Sequence, residues 1–243
     1  MRATKRVAIV TGGARRVGKA IALALAADGF AVVVHYHSSK HEATATVREL
    51  VALGAEAIAL RADLTRPAQV AQMQRRVLAK FGRVDVLINN ASRFRATPWP
   101  SLTAEVWDEL LDANLKSAFL CAKAFGDVML AQRSGIIINL ADVAGLRPWS
   151  NYLPYSVAKA GLLALTRGLA LALAPHVRVN AVAPGIVQWP EDFTAGRKAA
   201  LVKRVPLGRA GKTDDVTRAI RFLIESPYLT GAIIPVDGGR MLT

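Results

Sequence analysis

The chain has 243 residues, 52% of them hydrophobic and 21% charged, which is enough apolar material for one core of ordinary size and excludes a disordered tail or low-complexity linker. Its single cysteine, Cys121, excludes an intrachain disulfide framework or a cysteine zinc cluster and fits a reducing, cytoplasmic setting. With 32 Lys and Arg against 18 Asp and Glu, the net charge of +14 favours polyanions in general: nucleic acid, anionic lipid or phosphorylated small molecules.

The basic residues 1–6 lead into an apolar stretch, 7–11, that is too short for the core of an export signal and runs straight into a glycine turn, so it reads as a first strand. Further strand-like runs fall at 31–36, 56–62, 84–89, 135–141, 177–183 and 232–236. Several are apolar throughout, the pattern of strands covered on both faces. Amphipathic helical patterns lie between them at 16–28, 41–53, 67–81, 104–133, 152–174 and 213–225. Pro67 suits a first helical turn, and Gly29, Gly54 and Gly82 suit left-handed caps. The alternation predicts an α/β fold: a single-domain, Rossmann-type doubly wound parallel sheet of about seven strands with helices on both faces. The segment 185–211, with Pro190, Gly196 and Pro206, is expected to be irregular and to serve as a substrate lid. No apolar run approaches the ~18–20 residues of a membrane span; the longest, 161–174, is broken by Arg167.

The turn Thr11-Gly12-Gly13-Ala14-Arg15-Arg16-Val17-Gly18 follows a predicted strand and opens a helix. Its glycines let backbone approach a pyrophosphate, and the helix start supplies N–H donors; the plainer alternative is a tight connection. The second strand ends in Val33-Val34-His35-Tyr36-His37-Ser38-Ser39-Lys40, without the carboxylate that would hold an NAD ribose. Its hydroxyls, Lys40 and the nearby Arg15 and Arg16 suit a 2′-phosphate instead, so NADPH/NADP+ is the expected cofactor. An exposed loop with no ligand role is the alternative for the histidines. Tyr155 and Lys159, four apart on a helical stretch, share a face, where a cation lowers the pKa of a phenol.

Thr11 to Gly18, Asn89-Asn90-Ala91, Asn114, Tyr155, Lys159, Pro184-Gly185 and the closing Val236-Asp237-Gly238-Gly239 together resemble the short-chain dehydrogenase/reductase family over essentially the whole chain. The resemblance implies Tyr155 as proton donor and Lys159 on the nicotinamide ribose. It implies Asn114 beside a relay water and Asp63-Leu64 against adenine. Gly12, Arg15, Arg16, Val17, His35, Tyr36, His37, Ser38, Ser39, Asn90, Ala91, Ser92, Pro184, Gly185 and Val187 would complete the cofactor site.

Departures from the family pattern narrow the expectation. Arg16 replaces a usual glycine, Ser92 follows Asn-Asn-Ala where glycine is common, and Phe94 comes soon after. Asp142 stands where a catalytic serine is expected, 13 residues before Tyr155. With the His-Tyr-His-Ser string, these resemble pteridine reductases and their bacterial dihydromonapterin- and dihydrofolate-reducing relatives. That likeness implies a proton relay of Asp142, Tyr155 and Lys159, with Phe94 stacking the pterin against the nicotinamide. Ser92 would bond pterin or cofactor, and Arg16 would reach phosphate and pterin oxygen. The subgroup commonly has an arginine where this chain has Ser38, a place Lys40 or Arg15 would have to fill.

The chemistry is consistent from below. A serine serves a carbonyl oxygen, whereas reducing a ring C=N requires a proton on nitrogen, and a carboxyl beside an apolar ring, with a raised pKa, can hold one. Asp142 as a turn cap and Phe94 as loop packing are the plainer alternatives. The expected activity is therefore NADPH-dependent reduction of a dihydropterin, biopterin or dihydrofolate substrate. The rivals are a carbonyl or 3-oxoacyl-thioester reductase and, from another class, a basic nucleic-acid-binding or regulatory protein on a dinucleotide fold. Trp189 and Phe193 suit either a substrate mouth or surface packing, Cys121 reads as a small buried hydrophobe, and no metal site is expected. The apolar helices 115–130 and 162–174 imply, by the family resemblance, a homotetramer or homodimer.

Overall fold

The computed structural model describes residues 5–189 and 193–243, leaving residues 1–4 of the basic N-terminus and Pro190 outside the described residues. Among these, β1 (Val7–Val10), β2 (Ala31–Tyr36), β3 (Ala57–Arg61), β4 (Val86–Asn89), β5 (Gly135–Leu140), β6 (Val177–Pro184) and β7 (Ile233–Val236) form one sheet. Its order is β3-β2-β1-β4-β5-β6-β7, and every pairing is parallel.

Because neighbouring residues of a strand face opposite ways, the apolar runs feed two cores. Ala8 and Val10 of β1 meet α1 (Arg16–Ala27), α2 (Lys40–Ala52) and α8 (Thr213–Glu225) through Ile21, Leu25, Leu50, Val216 and Ile220. Val7 and Ile9 meet α3 (Pro67–Phe81) and α5 (Ser117–Gln132) through Met73, Val77, Phe125 and Met129. Each such side chain contributes roughly 1.5–3 kcal/mol by leaving water. A third cluster seats Leu162 and Leu163 of α6 (Leu153–Ala172) on Ala181 and Ala183 of β6. Among the described residues, no helix is long and apolar enough to cross a membrane.

Two segments differ from expectation. The pattern 104–133 is not one α-helix but α4 (Ala104–Leu111), a π-helical turn at Asp112–Lys116, and α5. Here Asn114 Nδ2 donates to the Leu110 carbonyl at 2.9 Å, taking the acceptor that a regular ladder would offer the backbone of residue 114. The segment 185–211 is not wholly irregular: it contains α7 (Ala195–Val202), whose N-cap Thr194 accepts a hydrogen bond from the Arg197 N–H. Strand order reverses between β1 and β4, and the crevice beyond their carboxyl ends is where open α/β sheets bind ligands.

Candidate active site

The glycine-rich turn sits at that crevice. Gly12 has φ +60°, and a Cβ on Gly18 would lie 2.2 Å from the Gly12 carbonyl oxygen, so α1 can start this close to the turn only with glycine there. Asn90 ties β4 to the turn, donating from Nδ2 to the carbonyls of Thr11 (2.8 Å) and Gly12 (3.2 Å). The Thr11 hydroxyl in turn accepts from the N–H groups of Asn90 and Ala91. His35 supports the same turn from below: Nδ1 accepts from the Gly12 N–H at 3.1 Å and Nε2 meets the Ala62 carbonyl at 3.0 Å. Burial lowers its pKa to about 4, so the ring is neutral and its hydrogen sits on Nε2. His35 thus lines the crevice with both ring nitrogens committed to backbone, and direct polar contact with a cofactor, as the resemblance implies, would break one of these bonds. Arg16 has φ +55°, an uncommon angle for a side-chain-bearing residue, and its Nη2 crosses the crevice to the Trp189 carbonyl at 3.2 Å.

Around the turn, Arg15, Val17, Tyr36, His37, Ser38, Ser39, Asp63 and Leu64 line one end of the cleft. Of the two cations expected to compensate for Ser38, Arg15 lines it and Lys40 does not. Burial pushes the Asp63 carboxyl up, but its hydrogen bonds from Thr65 and the nearby His37 and Arg66 hold it below the usual range. Pro184, Gly185 and Val187 line the opposite wall.

In the middle, the ends of β4 and β5, the π-helical turn and α6 bring five residues together. Tyr155 Oη donates to Asp142 Oδ2 at 2.9 Å. Asp142 is also the plain cap foreseen as an alternative, its Oδ1 accepting from the Ala144 N–H at 2.8 Å. Lys159 is 2% exposed, and its Nζ donates to the Leu140 carbonyl at 2.7 Å and stands 5.6 Å from the Tyr155 ring centre. Ser92 donates to Asn114 Oδ1 at 2.6 Å, while Asn114 Nδ2 serves the carbonyls of Arg93 and Leu110.

The electrostatics correct one expectation. The phenol of Tyr155 is pushed well above its ordinary value, by burial first and then by the charge and hydrogen bond of Asp142, with Ser92 working against the rise. Burial also raises Asp142, opposed by the Ala144 N–H and Lys159. Lys159 is brought down to about 8 by burial, with Asp142 resisting. A tyrosine made more acidic by Lys159 is therefore not what this arrangement produces; burial, and then the closer carboxyl of Asp142, set the direction.

Phe94 stacks on Tyr152 (centres 4.6 Å apart, 8° between planes) and meets Tyr155 edge-on at 4.9 Å, while remaining 39% exposed. One face of the ring expected to stack a substrate is thus already covered by Tyr152. Trp189 and Phe193 both line the cleft. Cys121 is fully buried, its thiol pushed up to about 12, in keeping with a packing role.

Residues that motif reading missed also line the cleft: Trp149, Tyr152, Gln188, Arg197, Arg204 and Arg240. Its volume, about 1510 Å³, exceeds the ~300–1,000 Å³ of a single small-molecule site and gives room for a dinucleotide with a second ligand. Among the described residues, Gln188 Oε1 is buried without a partner, an acceptor suited to an amide donor such as a nicotinamide carboxamide. This orphaned oxygen, the glycine turn and the carboxylate-free end of β2 together fit a nicotinamide dinucleotide.

The geometry defines an α/β oxidoreductase class with a tyrosine–lysine pair facing a nucleotide crevice, and known proteins agree. A family model described as enoyl-(acyl carrier protein) reductase matches residues 12–241. A 3-oxoacyl-[acyl-carrier-protein] reductase of Synechocystis is 43% identical over 244 residues, covering 98% of each chain. One of Staphylococcus epidermidis is 37% identical, covering 97% of this chain and 98% of its own. The crystal structure of acetoin dehydrogenase from Enterobacter cloacae superposes with a TM-score of 0.90 at 36% identity, covering 100% of this chain and 97% of that one. The chain belongs to the short-chain dehydrogenase/reductase family of oxidoreductases. None of these three relatives is named a pteridine reductase.

Proposed function

We propose that the protein is an NADPH-dependent reductase acting on a ring C=N bond of a dihydropterin- or dihydrofolate-type substrate. The observation that carries this reading is the 2.9 Å hydrogen bond between Tyr155 Oη and Asp142 Oδ2. The cofactor, when bound, supplies the hydride; the protein's task is to orient both ligands and deliver one proton to nitrogen. Gly12, Arg15, Arg16, Ser38 and Ser39 would hold its phosphates and ribose, Asp63 and Leu64 its adenine, and Lys159, Asn90, Val187 and Gln188 its nicotinamide end.

The proton path follows from the pKa directions. An ionised Asp142 takes the phenol hydrogen for itself. A protonated Asp142, favoured by its burial, donates to Tyr155 Oη and frees the phenol O–H for the substrate nitrogen. As that nitrogen takes the phenol hydrogen, the Asp142 proton passes to Tyr155, leaving carboxylate and phenol. Lys159 keeps a positive charge beside the carboxylate so formed, and Asn114 holds Ser92 in place beside the phenol. Phe94 offers a flat apolar wall to the heterocycle.

A second reading is favoured by the names of the relatives, and on the comparisons alone it stands ahead: reduction of a 3-oxoacyl thioester. There Tyr155 would protonate the carbonyl oxygen and Asp142 would occupy the place of a serine. Absorbance of NADPH at 340 nm, with dihydrobiopterin, dihydrofolate and acetoacetyl thioesters run side by side, separates the two. Turnover of the thioester alone overturns the first reading. In either case we read residues 185–211 as the flap over the cleft and expect a cytoplasmic enzyme. We assign a second copy of the chain to the faces of α5 and α6 that expose Phe119, Val157 and Leu171, in a homodimer or homotetramer that light scattering would size.

A further inference from the structure

Apart from the nucleotide turn, the cleft lining carries three further arginines of note. Arg197 comes from α7, Arg204 from the chain just after it, and Arg240 from a short 3-10 turn (Arg240–Leu242) at the C-terminus. All three line the cleft. Among the described residues none of them is in an ion pair; Glu109 pairs instead with Arg93 and Arg95 and Asp112 with Lys116, while Asp142 and Asp237 act on Arg240 through space. Burial lowers Arg240 below the usual guanidinium value, the nearby Arg204 adds to the fall, and Asp142 and Asp237 oppose it.

These guanidiniums sit on aromatic rings that lead back to Tyr155. Arg197 lies 3.6 Å over the Phe193 ring, and its Nη2 donates to Tyr152 Oη at 3.3 Å. Arg240 lies 5.3 Å from the Trp149 ring centre, and Trp149 meets Tyr152 edge-on at 5.9 Å. Tyr152 in turn stacks on Phe94. From the phenol outward, the lining therefore runs from flat rings to a group of three arginines. Three arginines seated along one cleft lining suit an anionic ligand, and the planar guanidinium matches a carboxylate with paired hydrogen bonds.

We propose that Arg197, Arg204 and Arg240 form an anion subsite for the far end of the substrate, taking the carboxylates of a glutamyl tail carried on an aryl spacer. The inference rests on the reading of the cleft as a pterin-type reductase site and narrows it: substrates of the folate type, with anionic tails, are preferred over pterins with neutral side chains.

The test uses the full-length protein saturated with NADP+. p-Aminobenzoyl-triglutamate, a tail without a pterin, is titrated by calorimetry into the wild type and into the double variant Arg197→Gln/Arg204→Gln. Both positions are exposed, and thermal melts check that the variant is folded. The wild type is expected to bind, more weakly as salt rises from about 50 to 200 mM, and the variant at least about tenfold more weakly. In turnover, the ratio of kcat/KM for dihydrofolate to that for dihydrobiopterin should fall by a similar factor. No binding to the wild type, or equal binding to both proteins, overturns the subsite. So does a variant that instead loses discrimination between acetoacetyl-coenzyme A and acetoacetyl-pantetheine, which would assign the cations to a phosphate. A wild type that binds the tail but reduces no pterin overturns the reaction assigned above and leaves the subsite standing.

Discussion

Tyr155 gives its hydroxyl hydrogen to Asp142 rather than to open cleft. The phenol is therefore a ready donor to substrate only when the carboxyl carries its own proton. Burial raises Asp142, so the protonated form persists above the ordinary carboxylate range. The reductive kcat/KM should be highest at low pH and fall as pH rises through the raised Asp142 value. A second loss in the same direction follows near pH 8, where Lys159 gives up its charge. A pH–rate profile checks this; a rate that climbs steadily from pH 6 to 9 contradicts it.

Asp142→Asn keeps a hydrogen-bonding group beside the phenol but removes the exchangeable acid. Turnover should drop by roughly 10²–10⁴, with NADPH binding retained, and the lower limb of the profile should vanish. The Lys159 limb should persist and move to lower pH, because the negative neighbour that supports the ammonium is gone. Tyr155→Phe should cost more, since no donor is left. Asp142→Ser tests the competing chemistry: it should raise activity on acetoacetyl thioesters if the carboxyl merely occupies a serine's place. Fluorescence titration of NADPH separates a binding defect from a chemical one.

How far the sequence carries the argument can be followed residue by residue. Doubly buried strands such as Val7 to Val10 are legible because apolar runs bounded by turns have few other homes. The glycine turn and the pair Tyr155–Lys159 are legible because their spacing is local. The break at Asp112 to Lys116 is not, because it depends on one side-chain hydrogen bond from Asn114. Nor is α7, which buries none of its residues and so shows no apolar face. Arg197, Arg204 and Arg240 come together only through the tertiary fold. The direction of the Tyr155 shift is not legible either, because i,i+4 spacing gives proximity to Lys159 but neither the burial of the phenol nor its closer contact with Asp142.

Arg16 stands in the left-handed region at φ +55°, which costs an ordinary residue roughly 1–2 kcal/mol. Arg16→Gly removes that strain while deleting the bond to the Trp189 carbonyl. Thermal stability should therefore stay level or rise by about 1 kcal/mol. The KM for NADPH should rise several-fold, because the turn loses both a cation and its tie to the opposite wall. Calorimetry and initial rates together decide; a markedly less stable protein with unchanged KM would make Arg16 a structural strut alone.

His35 offers a sharper test, because its two ring nitrogens hold the Gly12 N–H and the Ala62 carbonyl inside a nearly dry site. Its folded pKa of about 4 lies below the ordinary 6.5. Between those values the unfolded chain binds a proton that the folded chain refuses. The histidine's contribution is thus complete above about pH 6.5 and is lost as pH falls toward 4, by up to about 3 kcal/mol. His35→Phe leaves a buried donor and acceptor unpaired, costing about 1–3 kcal/mol for each group at neutral pH. It should also loosen the glycine turn and weaken NADPH binding. The variant has no group to titrate there, so the gap between wild type and variant in urea unfolding should shrink from pH 7 to pH 4.5. A gap that stays constant over that range would mean the imidazole is not the proton-refusing group.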